Sequence, residues 1–282
     1  MVSSKNNIMN ESNVLEKTWE RSENLPNPKV AVFVQGGFGN QLFQYAMLIN
    51  YAKKYGFDPV FDDQFIGETH TNEIFWYQYP EIQQIIPLGR IGDTYSTYRE
   101  NQGQYTEIPK YTNNLLIRGY FTSEKYFYEY RREIVKLFQS MLKIETSRSG
   151  LSLHIRRGNA LQKTNVFRIL EPDFYQQALK HYPPNKVIVI SEDEEGLKWA
   201  KNSIDFGKRE VTFQSTNMLH DFKTIATVKE GAIIANSTYS WWAAYLNPFG
   251  GKIVSPDRLF NSGGPRFWNR FLVKGWIQIG EK

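Results

Sequence analysis

The 282-residue chain contains no cysteine. A disulfide-stapled scaffold, a Cys-ligated zinc or iron–sulfur site and a cysteine nucleophile are therefore excluded. Histidine is scarce as well: there are four, none in an H-x-x-x-H pair, so a His-rich metal site is not expected. No D-x-D element offers a carboxylate-held metal, adjacent Asp62 and Asp63 being the nearest approach, and no G-x-x-x-x-G-K-[ST] phosphate loop is present. No stretch approaches the ~18 consecutive apolar residues of a membrane span, and the first 28 residues lack the apolar core of a signal peptide. Without cysteine or a signal sequence, a reducing, cytoplasmic setting is expected. Charge of one sign is not in large excess: 34 Lys+Arg against 29 Asp+Glu leave +5, and no nucleic-acid-binding motif accompanies it.

What the chain does have is aromatic residues, 15% of the total, with 17 Tyr and 7 Trp. Aromatics beside a mild basic balance suit nucleic acid or sugars, and composition leaves both open. With 41% hydrophobic and 22% charged residues the chain is an ordinary folded protein. Its length suggests about two domains at ~150 residues each.

Apolar runs alternate with helical patterns. Lys29–Val34 reads as a buried strand, Gln35–Gly39 as a loop, Asn40–Tyr55 as a helix stopped by Gly56, and Phe57–Phe61 as a second strand. Asn114–Phe121 reads as a strand and Glu124–Phe138 as a helix, with the Tyr-rich stretch Asp62–Tyr111 between them unassigned. The second half repeats the alternation: strands at Gly150–Ile155, Lys186–Ile190, Glu210–Phe213, Gly231–Ala235 and Lys252–Val254. Between them fall helices at Asp173–His181, Ser191–Lys201 (with a Ser191/Glu194 capping box), Asn217–Lys229 and Ser237–Leu246. Such alternation predicts parallel sheets covered by helices, in two Rossmann-like halves joined by a polar linker near residues 139–149. Residues 1–28 read as a polar tail, the alternative being a helix from Ser12 to Arg21 packed on the body.

Five segments carry candidate chemistry. Gly36-Gly37-Phe38-Gly39-Asn40-Gln41 lies between a strand and a helix, where glycines let backbone N–H groups approach an anion. The plainer reading is a tight turn with Asn40 as N-cap. His154-Ile155-Arg156-Arg157-Gly158-Asn159 ends a strand on the side of a parallel sheet where ligands bind. Arginine on an apolar strand needs an anionic partner: phosphate is the favoured partner for Arg156, a structural ion pair for Arg157. Ala235–Trp242 opens a helix on Ser237, Thr238 and Ser240, either a phosphate grip or a simple N-cap with Trp241 and Trp242 as core anchors. Asn236-Ser237-Thr238 is also a glycosylation sequon, a reading the missing secretory signal disfavours. An isolated Asp221 in His220-Asp221-Phe222 would by default be a surface residue, and the acidic run Ser191–Glu195 suits the first turn of a helix.

Together these segments resemble glycosyltransferase family 11, the α-1,2-fucosyltransferases. The pattern G-G-x-G-N-Q-x-F-Q-Y-A is similar to Gly36–Ala46, H-x-R-R-x-D to His154–Asn159, and I-I-A-N-S-T-[FY]-S-W-W-x-A-[WY]-L to Ile233–Leu246. The strand-plus-acidic element is similar to Val187–Trp199, and the motifs run in the family order from residue 30 to about 256. The resemblance implies an α/β fold of GT-B type: two Rossmann-like domains whose parallel sheets face across a cleft. Residues 29–145 would form the acceptor side and 146–282 would bind the donor. It implies inverting transfer of L-fucose from GDP-fucose to the 2-hydroxyl of a galactose-containing glycan, with no metal or other cofactor. The catalytic set would be Arg156, His154 and Asn40. Arg156 would bind the β-phosphate, and Asn236, Ser237 and Thr238 would hold the diphosphate. Gly37, Phe38, Gly39 and Asn40 would lie across the cleft, and His154 beside the nucleotide. Asp221, 16 residues before Ser237, would read guanine, whose N1–H and N2–H one carboxylate can accept.

The chain departs from the pattern at Asn159, where the family has Asp and where no base is now available. His154, Asp62, Asp63 and Glu124 are the candidates to take the acceptor proton. Trp76, Tyr77, Tyr79, Tyr95 and Tyr98 could stack on acceptor sugars or simply fill the core. Competing readings are another GDP-sugar donor, a relative reduced to glycan or nucleotide binding, and nucleic-acid binding.

Overall fold

The computed structural model describes residues 26–69, 74–101, 105–258, 260–261 and 272–280. The first half runs β1 (Lys29–Val32), α1 (Phe38–Tyr55), β2 (Asp58–Pro59), α2 (Phe75–Gln78), α3 (Pro80–Ile85), β3 (Ser96–Arg99), β4 (Leu115–Arg118) and α4 (Arg131–Met141). The second runs β5 (Leu151–Ile155), α5 (Gly158–Leu161), α6 (Pro172–Leu179), β6 (Val187–Ser191), α7 (Glu194–Ser203), β7 (Val211–Gln214), α8 (Met218–Thr227), β8 (Gly231–Ile233), α9 (Thr238–Tyr245), β9 (Lys252–Pro256) and β10 (Ile277–Ile279). The elements form two parallel sheets, a four-stranded one ordered β2-β1-β4-β3 and a six-stranded one ordered β10-β9-β8-β5-β6-β7. Central strands β5 and β6 are buried along their whole length, which is why they read as apolar runs instead of alternating. The tail reading for residues 1–28 falls largely outside the described residues.

The sheets do not have independent cores. One apolar cluster takes Val30 and Val32 from β1, Ile188 and Ile190 from β6, and helices α1, α4 and α9 between them. Its centre is aromatic: Phe43 of α1 lies 4.6 Å from Trp241 and 5.0 Å from Trp242 of α9, and Trp242 stacks on Phe127 at 5.2 Å. Trp241 and Trp242 are thus the core anchors expected, each ring contributing roughly 2–3 kcal/mol by burial. A second cluster, built on Leu153, Phe174 and Val189, covers the opposite face of the larger sheet.

Several expected elements are displaced. The segment near 139–149 is not a free polar linker: Met141, Leu142 and Ile144 are buried, and Gln139 Nε2 donates to Leu246 O at 2.8 Å. The helix expected over Glu124–Phe138 is a 3-10 turn at Glu124–Tyr126 followed by α4. The Ser191/Glu194 capping box does not form. Ser191 ends β6, and Asp193 caps α7 by accepting from Gly196 N at 2.6 Å, because Asp193 and not Ser191 stands directly before the first turn. β9 is not the last strand, since β10 pairs beyond it.

Candidate functional site

The β1–α1 turn is built from backbone and amides. Gly36 sits at φ +79°, a left-handed conformation glycine adopts without a Cβ penalty. Gly37 is the N-cap of α1, with no side-chain cap, so Asn40 is not the cap; it lies inside the first turn, its amide packed under Gly36. Two fully buried glutamines hold the loop. Gln41 Nε2 donates to Gly36 O at 3.2 Å while its Oε1 accepts from Phe75 N at 2.8 Å. Gln44 Nε2 donates to Gln35 O and Gly119 O, and its Oε1 accepts from Gln35 N. Sequence reasoning missed these two; the signal was a pair of amides three residues apart on an otherwise apolar helix face. The ring of Phe38 turns inward, edge-on to Phe75 at 5.4 Å and Phe222 at 5.2 Å.

The end of β5 supplies charge. The part-buried Arg156 donates from Nη1 to Asn236 O at 2.5 Å and lies 4.4 Å from the Phe167 ring centroid. Among the described residues it has no carboxylate ion pair, so the structural ion pair weighed for it does not form. Burial lowers its pKa, and the Glu192 carboxylate acts in the opposite direction. Arg157, for which an ion pair was the favoured expectation, instead lays its guanidinium over the Trp199 ring at 4.1 Å, and its buried Nη1 has no hydrogen-bond partner among the described residues. The aromatic face substitutes for an anion there. His154 is buried, with Nδ1 unpartnered among the described residues and its ring 5.6 Å from Tyr239. Burial above all, then the Arg156 charge, push its pKa down to about 3, with Asp221 opposing. Its imidazole is neutral at ordinary pH and a weak proton acceptor.

The β8–α9 turn holds the third group. Ser237 caps α9, its hydroxyl accepting from Tyr239 N at 3.3 Å, so the plain N-cap reading is realised. Asn236 Nδ2 donates to Arg168 O. Asp221, at the start of α8, is buried, not on the surface as its isolation suggested. Its Oδ1 accepts from Gln214 Nε2 and from Thr216 Oγ1, both at 2.7 Å, and its Oδ2 from Thr216 N at 3.1 Å. Tyr239 ties this corner together: its hydroxyl donates to Met218 O at 2.6 Å, its ring lies 5.3 Å from Phe222, and burial with the nearby Asp221 charge raises its pKa.

These three groups come together because both sheets turn their carboxyl edges to one place. A Cβ on Gly39 would overlap the Thr238–Tyr239 peptide, so the first turn of α1 rests on the first turn of α9. Gly39 is there for helix packing. Gly37, by contrast, has nothing among the described residues within 4 Å of a Cβ placed on it. Two helix N-termini, each with orphan N–H groups and a positive dipole end, thus meet beside Arg156. Such a place stabilises an anion.

Other expected residues are placed elsewhere. Asp62 is buried and bound to Arg90 Nη1 at 2.7 Å and Ile91 N at 2.9 Å, which together with the Gln64 amide outweigh its burial and hold its pKa low. Asp63 pairs with the same Arg90. Glu124 accepts from Tyr245 Oη at 3.0 Å, at the far end of α9 from Ser237. Trp76 is core, stacked on Phe61 at 4.3 Å with its indole N–H donating to Ile86 O, whereas Tyr77 and Tyr95 are exposed. Among the described residues no helix is long and apolar enough to cross a membrane, and no group of three acidic, His or Cys side chains is placed to hold a metal.

The chain is 30% identical over 138 residues to an Escherichia coli O-antigen biosynthesis glycosyltransferase, WbnK, covering 45% of this chain and 44% of that one. It is 24% identical over 159 residues to an Escherichia coli alpha-1,2-colitosyltransferase, covering 50% and 55%. It is 26% identical over 249 residues to the Pan troglodytes galactoside alpha-(1,2)-fucosyltransferase 1, covering 76% and 64%. The chain therefore spans less than two thirds of the length of each of these relatives. The model of Glycosyl transferase family 11 matches residues 12–279, a span that includes the β1–α1 turn, the β5 end and the β8–α9 turn. By that match the chain belongs to glycosyl transferase family 11.

Proposed function

We propose that this family member is an α-1,2-fucosyltransferase that moves L-fucose from GDP-fucose, with inversion and without a metal, to the 2-hydroxyl of a galactose-type acceptor. The observation that carries the reading is Arg156: a part-buried guanidinium with no carboxylate partner among the described residues, hydrogen-bonded at the entrance to α9. A part-buried guanidinium held by one carbonyl and one ring face keeps N–H donors to offer an anionic ligand. A diphosphate seated there would be met by Arg156 and by the N–H groups that open α9. Those groups are fixed before the reaction, so they stabilise the charge growing on departing GDP without reorganisation, typically ~3–4 kcal/mol for one such donor. Ser237 and Thr238 border the same turn, and the open space over Gly37 gives the fucosyl group room. Asp221 reads guanine once the Thr216 hydroxyl yields its place on the carboxylate. The neutral His154 lies beside the nucleotide and adds no positive charge. On this reading residues 29–145 form the acceptor-side domain and 146–282 the donor-side domain, in a GT-B arrangement.

A second donor is favoured by one finding, the similarity to a protein named as a colitosyltransferase. Transfer of colitose from its GDP-sugar needs the same diphosphate grip. The test is GDP release from GDP-fucose and from GDP-colitose, each with an array of galactose-terminated glycans, with and without EDTA. GDP-fucose with a galactose acceptor, unaffected by EDTA, is the expected productive pair. Preference for GDP-colitose moves the assignment to the second reading, and no acceptor-dependent GDP release from either donor overturns both.

A further inference from the structure

Among the described residues a cavity lies at the other end of α9. It measures about 360 Å³ and opens where α4 of the first half meets the end of α9 and the turn into β9. That volume falls within the ~300–1,000 Å³ of small-ligand sites. The eight residues of α9 rise about 12 Å, so Tyr245 on the cavity wall is a full helix length from Ser237. The site is therefore separate from the one assigned to the donor, and the inference does not depend on which donor is used.

Its lining has two parts. One is aromatic: Tyr245 stacks on Trp241 at 4.4 Å, and the half-buried Trp276 stands 5.7 Å from Trp241 at the edge of that stack. The other is polar. Glu124 accepts from the Tyr245 hydroxyl and lies 3.8 Å from Arg131 Nη1. Arg131 also lies 5.0 Å over the Tyr128 ring. Neighbouring Arg132 is exposed and has no ion pair among the described residues. One carboxylate against two guanidinium groups leaves the wall positive. A ring face for apolar C–H surface, a carboxylate for hydroxyls and an unpaired guanidinium for an anion suit one ligand chemistry, an acidic sugar. Another cavity, along α1, is richer in tyrosine but self-satisfied: Lys54 bonds Glu107, and Tyr55 bonds Glu107 and Ile108 O.

We infer that the cavity between α4 and the end of α9 binds a saccharide bearing a carboxylate, its ring on Trp276 and Tyr245 and its carboxylate on Arg132. The test titrates the full chain, without nucleotide, with methyl glucuronide, methyl glucoside and inorganic phosphate, followed by ligand-observed NMR and by tryptophan fluorescence. Saturable glucuronide binding is expected, about tenfold (~1.4 kcal/mol) tighter than glucoside, because only the glucuronide offers a carboxylate to Arg132. Arg132→Ala should remove that preference and Trp276→Ala should weaken both sugars, while Arg156→Ala leaves the titration unchanged. Arg132 is exposed, so its variant tests the idea even where Trp276→Ala fails to fold. Equal affinity for both sugars, loss of binding in Arg156→Ala, competition by phosphate as strong as by glucuronide, or no saturable binding would each overturn the inference.

Discussion

The β1–α1 turn and the β8–α9 turn have the same topology and opposite means. Each follows a parallel strand, opens a helix at the carboxyl edge of its sheet, and leaves N–H groups unpaired. The first is held without charge. From Gly36 to Ala46 there is no ionisable group that titrates near neutrality, and the loop is fixed by glycine conformation and the Gln41 and Gln44 amides. The second is capped by the Ser237 hydroxyl and has Arg156 bonded at its entrance, with Asp221 and His154 behind Tyr239. One half contributes shape and the other charge. The reason is electrostatic: a second arginine facing the first across a narrow space would destabilise the unliganded protein, while a neutral loop allows the edges to touch at Gly39.

That division can be broken from its charged side first. Arg156→Ala should reduce turnover about 10²–10³-fold with little change in thermal midpoint; near-normal GDP release in the presence of acceptor would show that the charge lies elsewhere. On the shape side, Gly39→Ala should destabilise by about 1–3 kcal/mol, since its Cβ meets backbone that cannot move aside. In an exposed helix the same change would stabilise by about 1 kcal/mol, so the sign of the shift in urea denaturation is decisive. Gly37→Ala is the matched control: it meets open space, costs under about 1 kcal/mol, and should still weaken donor binding.

His154 sharpens the comparison through pH. It stays neutral in the folded chain down to about pH 3, but protonates near 6.5 once unfolded. The unfolded state therefore binds the extra proton. Stability from this group is complete above that value and falls by up to about 1.4 kcal/mol per unit as pH drops toward 3. His154→Gln should flatten denaturation midpoints compared at pH 7 and 5; an unchanged slope would show the imidazole is not buried neutral. Asp221→Asn should weaken GDP binding by about tenfold, one charge-assisted hydrogen bond at ~1.5 kcal/mol. Calorimetry with unchanged GDP affinity would reduce Asp221 to the support of Thr216.

Much of the site was legible as chain-local pattern. Strand, glycine or hydroxyl turn, then helix can be read in one dimension, and so could the place of Arg156 at the end of a buried strand. The misreadings fall where a partner or a boundary outside the motif decided the outcome. Arg157 found Trp199 in place of a carboxylate. Asp221, isolated in sequence, is buried because Gln214 and Thr216 supply its hydrogen bonds. Asn40 gave up the cap to Gly37, and Ser191 to Asp193, because cap position depends on where strand geometry ends.

The sequence by itself determined the parallel α/β class, the three strand ends where the candidate residues lie and the resemblance that the family match bears out. These rest on periodicity and on residues next to one another. The tertiary structure alone decided that the two halves share one aromatic core, that Gly39 seats α1 on α9, and that His154 is neutral. Close packing and desolvation are set by atoms brought together from distant positions, and neither is written in any local stretch of the chain.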